Sequence, residues 1–349
     1  MVHSRRGFLA SAAAATVATL PLPSASAQSS AQSPAQSPTQ SHQPLSPQLA
    51  PQILALFKSV PGDVALKIHA PAVNGKPEFL VASNAAKPMF VGSAIKTFIL
   101  CESLRQADAP TVVQTLSTTP LTLDAGVWSL DSATFNPPNL IGQVSQRTAL
   151  EAMIMHSDNT GTDMSLKHAG PDKVRAFIAS AGLHSTRIPD STRVFFGYLL
   201  GAKDYKTFTW EEIGAAANLP IVNSPMNQVQ TLASSADDFV SYYQRALHGS
   251  FFQHKQTLNE FRRILTLGDA IWLLPLPLGV TAFVKGGSID VSGFHALCAP
   301  GAMFFDDRWV YFCLTLNWYA KAETDKDTVA AFTAAGSRAL AMVKDALAS

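Results

Sequence analysis

The stretch that decides the fold is residues 91–106, VGSAIKTFILCESLRQ. Its apolar residues recur at the spacing of one helical face, which predicts a helix that begins at Ser93. Lys96 then lies one turn later on the same face, where its amine can reach the Ser93 hydroxyl. A serine needs a base to act as a nucleophile at pH 7, and a lysine is such a base only where its pKa is lowered. Alone, this pattern is more often a helix cap followed by a solvated lysine.

Two more polar motifs follow this segment. The first, Ser-Asp-Asn at 157–159, comes directly after a helical pattern over 148–155. Its serine can relay a proton, and its amide can both donate and accept hydrogen bonds. The second, Lys-Gly-Gly at 285–287, ends a strand pattern over 280–284, and its glycines let a substrate backbone come close to the strand edge. Each motif alone is an ordinary turn, but their order and placement together indicate one catalytic cleft.

Strand patterns lie at both ends of the folded part, and helical patterns lie between them. Residues 64–70 and 78–81 flank Asn74-Gly75, which predicts a hairpin. Three later strands are predicted over 280–284, 294–298 and 309–318, and helices over 171–181, from Ser235 onward and over 328–347. This order predicts an α+β fold with one antiparallel sheet built from both termini and a helical block.

The three motifs in this order resemble those of the serine β-lactamase and D,D-peptidase superfamily, and most of all its class A branch. The resemblance covers about Pro61 to Leu347 and is weakest between Asp190 and Ala233. It implies a β-lactamase/transpeptidase-like fold, in which helices pack on the antiparallel sheet and an all-α subdomain completes the cleft.

The resemblance also implies a role for each polar side chain of the motifs. Ser93 is the acylated nucleophile, and Lys96 is its base or proton relay. Ser157 carries the proton to the leaving nitrogen, while Asn159 orients the substrate amide. Lys285 holds the substrate carboxylate and shapes the electrostatics of the site.

Backbone groups complete the site that the resemblance implies. The N–H groups of Ser93 and Ser288 form the oxyanion hole, and Gly286 and Gly287 line the strand edge where substrate binds. By position, Trp128 or Phe135 is a candidate aromatic wall at the entrance.

The residue that activates water for deacylation is the main departure from the class A pattern. That branch carries a glutamate in an E-x-x-L-N context, and no such motif follows position 186 here. Thr192 falls where the glutamate is expected. The nearest acids are Asp190, Asp204, Glu211 and Glu212, each of which is more often a plain surface acid. Gly286 is a second departure, because the family usually has Thr or Ser there.

Three functions stay open at this point. The first is β-lactam hydrolysis through an acyl-Ser93 intermediate. The second is a D,D-peptidase, penicillin-binding protein or esterase that uses the same nucleophile and deacylates slowly. The third is a non-catalytic binding module on the same scaffold.

The N-terminal residues predict export and a tether. Ser4-Arg5-Arg6 is followed by an apolar run and then by a small-residue cleavage pattern at 25–27, so residues 1–27 resemble a twin-arginine signal peptide and imply a periplasmic protein. Residues 28–48 are rich in Ser, Gln and Pro, which predicts a flexible linker. The catalytic domain is therefore expected at 49–349, without a stable membrane insertion once the signal is removed.

The composition of the chain limits which partners and cofactors are expected. The 26 Lys and Arg residues nearly balance the 25 Asp and Glu residues and form no long basic run, so nucleic acid is not expected. Three cysteines leave at least one thiol unpaired in a monomer, and buried free thiols are expected. No His/Cys spacing of a zinc site occurs, so we expect no metal and no other cofactor. The expected partner is a small β-lactam or acyl-D-amino-acid-like substrate, bound by a monomer.

Overall fold

The structure is a computed structural model that describes residues 46–216, 219–291, 293–321 and 325–348. The signal peptide and nearly all of the linker predicted from the sequence lie outside these residues.

The described residues form ten strands and twelve α-helices. The strands are β1 (Asp63–Ala70), β2 (Phe79–Ser83), β3 (Met89–Phe90), β4 (Pro120–Leu123), β5 (Gly142–Ser145), β6 (Ala233–Ser234), β7 (Thr281–Val284), β8 (Gly287–Val291), β9 (Phe294–Phe305) and β10 (Arg308–Trp318). The helices are α1 (Leu49–Leu56), α2 (Lys96–Gln106), α3 (Val112–Thr118), α4 (Gln146–Met155), α5 (Asn159–Ala169), α6 (Pro171–Ser180), α7 (Thr192–Leu199), α8 (Trp210–Ala216), α9 (Ala236–Leu247), α10 (Lys255–Leu265), α11 (Ala270–Leu273) and α12 (Lys326–Ala348).

One antiparallel sheet joins the two ends of the folded part, which confirms the predicted architecture. Its order is β2-β1-β10-β9-β7, and β8 also pairs with β9. β1 pairs with β10 over its length, for example Leu66 with Leu314. The β1–β2 hairpin turns at Asn74-Gly75, where both residues have positive φ, as a tight hairpin turn requires.

Helices cover both faces of the sheet. In β10, Tyr311 and Cys313 face the core shared with α2 and α9, while Phe312 and Leu314 face the core shared with α1 and α12. Successive side chains of a strand point to opposite faces, so a strand covered on both sides is buried throughout. The sheet is therefore the middle of three layers.

The helical block differs from the predicted all-α subdomain, because it contains the β4–β5 strand pair. A small apolar cluster packs beneath this pair and includes Trp128 and Phe135, which are 9% and 3% exposed. These two rings are core residues, and the proposed aromatic wall at the entrance was wrong.

The strands near the C-terminus also differ from the prediction in one respect. Four strands follow position 280 where three were predicted, because β8 begins at Gly287 and adds to β9 beside β7.

All three cysteines are buried free thiols, as expected. Within the described part of the chain, no helix has the length and hydropathy needed to cross a membrane.

Candidate active site

Ser93 lies in a 3-10 turn, Gly92–Ile95, that leads directly into α2. The predicted helix start is thus present, with its first turn wound more tightly. In the fully described stretch 91–100, Ser93 is the one residue that is not buried. The apolar residues around it enter the core that the sheet shares with α2 and α9. Burial of the turn therefore fixes the serine backbone and leaves its hydroxyl open to a substrate.

The strand β8 packs directly against this turn. A Cβ added to Gly287 would lie 2.0 Å from the Val91 carbonyl oxygen and 2.9 Å from the Ser93 nitrogen. A Cβ added to Gly92, whose φ is +52°, would lie 2.8 Å from the Ser288 nitrogen. Only glycines allow this approach. The Ser93 and Ser288 backbones therefore lie side by side, which is the arrangement that the predicted oxyanion hole needs.

Lys96 is buried beneath the serine and bonded to the second motif. Its Nζ donates to the Ser157 carbonyl at 2.7 Å, to the Ser157 hydroxyl at 3.2 Å and to Asn159 Oδ1 at 2.7 Å. These acceptors occupy all three ammonium donors. Among the described residues we find no hydrogen bond between Lys96 and Ser93, so the role of Lys96 as the base for Ser93 stays a prediction.

The surroundings of Lys96 favour its neutral form. Burial is the main cause and the nearby charge of Lys285 is the second, and together they lower the pKa of Lys96 to about 7. The charges of three carboxylates, first among them Asp269, oppose this shift only in part. A large fraction of the amine is therefore unprotonated at neutral pH, as a proton acceptor must be.

The motif at 157–159 is held in place by the loop before it. Asp158 accepts from Gly161 N and so caps α5, and it also accepts from Thr134 N and Phe135 N. Asn159 Nδ2 donates to the Leu130 carbonyl at 2.9 Å. This network fixes the amide of Asn159 while its oxygen faces Lys96.

Lys285 is fully buried and is already paired. Its Nζ donates to both carboxylate oxygens of Asp269 at 2.8 Å and to the Gly286 carbonyl at 2.7 Å. Burial lowers the pKa of Lys285 and the Asp269 carboxylate opposes that shift. Asp269 was missed by the sequence analysis, because it lies in a loop and no motif marks it.

The four acids proposed for deacylation either have other partners or make no hydrogen bond to the cluster around Lys96. Asp190 pairs with Arg175 and accepts from Gln230; although burial opposes it, these bonds lower the pKa of Asp190. Glu212 accepts from Thr209 N at the start of α8. In the described residues, neither these two acids nor Asp204 and Glu211 hydrogen-bond to Lys96, Ser157 or Asn159.

A different carboxylate, Asp163, lies behind Asn159 and was missed. Its Oδ1 accepts from Thr192 N at 2.7 Å and from Thr192 Oγ1 at 2.8 Å, and its Oδ2 accepts from Arg193 N. Burial raises the pKa of Asp163 to about 6 in spite of these bonds. The available signal was spacing, because Asp163 follows Asn159 by four residues and so lies on the same helical face.

No group of three or more potential metal ligands occurs among the residues that the structure describes.

The fold and the arrangement of the three motifs define a class of protein, the β-lactamase-like proteins. Three solved structures share the fold over 86% of this chain. TLA-3 extended-spectrum beta-lactamase is 16% identical with a TM-score of 0.65, and 99% of that chain is covered. PBP-A and a beta-lactamase from Sphaerobacter thermophilus are each 15% identical with a TM-score of 0.63, and 97% of each is covered.

The family follows from the sequence comparison. The family model described as "Beta-lactamase enzyme family" matches residues 48–268, more than half of the chain. The chain therefore belongs to the beta-lactamase enzyme family. No curated protein matches the chain.

Proposed function

We propose that the protein is a serine hydrolase that opens β-lactams through an acyl intermediate on Ser93. The observation that carries this proposal is the state of Lys96, which is buried, bonded to Ser157 and Asn159, and has a pKa lowered to about 7. A surface lysine at that position stays charged and cannot accept a proton from serine at neutral pH.

The proposed acylation moves one proton through the polar cluster. Neutral Lys96 accepts the Ser93 proton, directly or through the Ser157 hydroxyl, as Ser93 Oγ attacks the lactam carbonyl carbon. The N–H groups of Ser93 and Ser288 stabilise the negative charge on the carbonyl oxygen. Ser157 then passes a proton from Lys96 to the lactam nitrogen as the C–N bond breaks. The products are an acyl ester on Ser93 and a ring-opened amine.

A second candidate is a penicillin-binding protein or esterase that acylates in the same way and deacylates slowly. One observation favours it specifically. Thr192 occupies the place expected for a water-activating glutamate, and its hydroxyl is bonded to Ser129 and Asp163. The carboxylate of Asp163 thus lies behind Thr192, where its hydrogen bonds to the loop restrict its access to water.

Intact-protein mass spectrometry after exposure to penicillin G, together with nitrocefin hydrolysis, tests the proposal. We expect an adduct on Ser93 that is lost within the assay as nitrocefin is turned over. Ser93→Ala removes the nucleophile and both signals. Ser103→Ala is the matched control, because Ser103 lies on the same helix and its buried hydroxyl has no partner among the described residues.

The alternatives give different results in the same experiment. An adduct that persists for hours without nitrocefin turnover favours the slowly deacylating protein. The absence of any adduct with penicillin G or with a fluorophosphonate, at high protein concentration, contradicts both enzyme proposals and leaves the binding module.

We also propose that the protein is exported to the periplasm by the twin-arginine route. The support is the sequence pattern around Arg5-Arg6 and the small residues at 25–27.

A further inference from the structure

The charge of Lys285 is neutralised inside the protein. Both oxygens of Asp269 accept from its Nζ, and the third donor goes to the Gly286 carbonyl, so no ammonium hydrogen remains for a ligand. The exposed part of the pair is the acid, because the Lys285 side chain is 0% exposed and the Asp269 side chain is 23% exposed. A molecule that approaches this pair therefore meets a carboxylate before it meets the ammonium.

The absence of a side chain at Gly286 makes this pairing possible. A Cβ added there would lie 3.2 Å from Asp269 Oδ1 and 3.2 Å from the Ala270 Cα. Asp269 also accepts from the Gly286 N–H at 2.8 Å. The start of α11 thus packs tightly against Gly286, and a Thr or Ser side chain there would need Asp269 and Ala270 to shift by a few tenths of an ångström.

The sequence around this edge of the sheet contains few cations. From 264 to 307 the sequence contains Lys285 as its one Lys or Arg, together with four acids, Asp269, Asp290, Asp306 and Asp307. The histidine on β9, His295, contacts Asp290 and the Ala320 carbonyl. Lys96 is enclosed by its own acceptors and has a lowered pKa. The cleft therefore offers an anionic substrate no unpaired positive charge from these residues.

We propose that Asp269 shifts the substrate preference of this site toward acyl compounds without a free carboxylate beside the scissile bond, such as neutral amides, esters and esterified β-lactams. β-Lactams with a free carboxylate still acylate Ser93, but without an ionic contact to Lys285. An anionic substrate must either displace Asp269 from a buried lysine or bind next to an uncompensated carboxylate, and both cost affinity. This inference rests on the proposed acylation of Ser93 and specifies which substrates undergo it fastest.

The test compares penicillin G with its methyl ester on the full chain. Second-order rate constants for formation of the Ser93 adduct are measured by intact mass at an ionic strength of about 0.15 M, each divided by the rate constant of that compound with hydroxide. We expect the corrected ratio of ester to acid to be one or more in the wild-type protein. In Asp269→Asn, which removes the carboxylate that an anionic substrate meets, we expect this ratio to fall by about tenfold or more.

The matched control is Asp307→Asn. It removes the same charge, and asparagine tolerates the φ of +56° found there. Residue 307 lies in the turn after β9, about 20 Å along the strand direction from Pro300, whose carbonyl accepts from Lys285 N. At that distance screening is nearly complete, so the ratio in Asp307→Asn should equal that of the wild type.

Two results overturn the inference while leaving the proposed function intact. One is a wild-type protein that reacts with the acid more than about tenfold faster than with the ester. This result does not depend on the folding of any variant. The other is a folded Asp269→Asn with an unchanged ratio. Failure of both compounds and of a fluorophosphonate to label Ser93 contradicts the proposed function itself, and the inference with it.

Discussion

At the scale of single residues, the protonation of Lys96 controls the proposed chemistry. Burial and the neighbouring Lys285 lower its pKa to about 7, so its neutral fraction increases as pH rises through that value. Acylation needs the neutral amine as acceptor, and we therefore expect the acylation rate to rise from acidic pH and to level off above about pH 8. The measurement is the rate of adduct formation on Ser93 across this range.

Lys96→Arg separates this effect from a change in folding. Arginine keeps its proton throughout the range, so the variant should lose acylation at every pH while its near-ultraviolet circular dichroism shows whether the core is retained. A wild-type rate that does not change between about pH 5.5 and 8.5 contradicts the role of Lys96 as the base.

Single residues also show which parts of the site could be predicted from the sequence and which could not. The side chains at 96, 157, 159 and 285 come together in the structure and were predictable because each belongs to a short motif. Asp269 and Asp163 have no such motif, since their importance comes from a lysine or a loop that folding brings to them. Helical spacing places Asp163 on the same face as Asn159, but the partners of either acid depend on tertiary packing, which spacing along the chain does not encode.

At the scale of elements, the contact between β8 and the turn at Ser93 aligns the two proposed oxyanion donors. Gly287→Ala places a Cβ against the Val91 carbonyl oxygen, and rigid backbone cannot yield as a flexible side chain does. We expect the strand to move away from the turn, with at least a hundredfold loss of acylation, on the scale of removing one oxyanion donor. The same mass assay and a thermal melt measure both effects.

Gly214→Ala is the control for this change. Gly214 lies in α8, where an added Cβ meets nothing within 4 Å, and alanine is the better helix former. It should leave acylation unchanged. Wild-type acylation by a folded Gly287→Ala would show that this close packing is not required for the reaction.

Elements with strong periodicity and caps were predictable, and short ones were not. The helices α6, α9 and α12 match their predicted positions within about two residues, since each has a clear apolar face. Ser235 caps α9 by accepting from Asp238 N, as its place before two acids indicates. β8 starts with Gly287 and Ser288, and β4 and β5 have four residues each, so none of them carries a recognisable period.

At the scale of the whole molecule, the site depends on both ends of the chain. β1 pairs with β10, and β9 connects that pair to the edge where Lys285 follows β7 and Gly287 begins β8. The sequence order of strands predicted this sheet, because strands at both ends with helices between them have few other ways to cover their apolar faces. The β4–β5 pair within the helical block was not predictable in the same way, because two short strands add little to the pattern.

The last prediction concerns where in the cell the whole protein is located. Twin-arginine export depends on the arginine pair itself, so Arg5→Lys with Arg6→Lys keeps the local charge and removes the recognised feature. We expect the full chain to reach the periplasmic fraction of a bacterial host, and the double variant to remain in the cytoplasmic fraction at its unprocessed mass. Arg338→Lys, an exposed position on α12, is the matched control and should be exported normally. If the double variant is exported and shortened like the wild type, the route is a different one, and the charge and apolar run of residues 1–27 act as a general signal peptide instead.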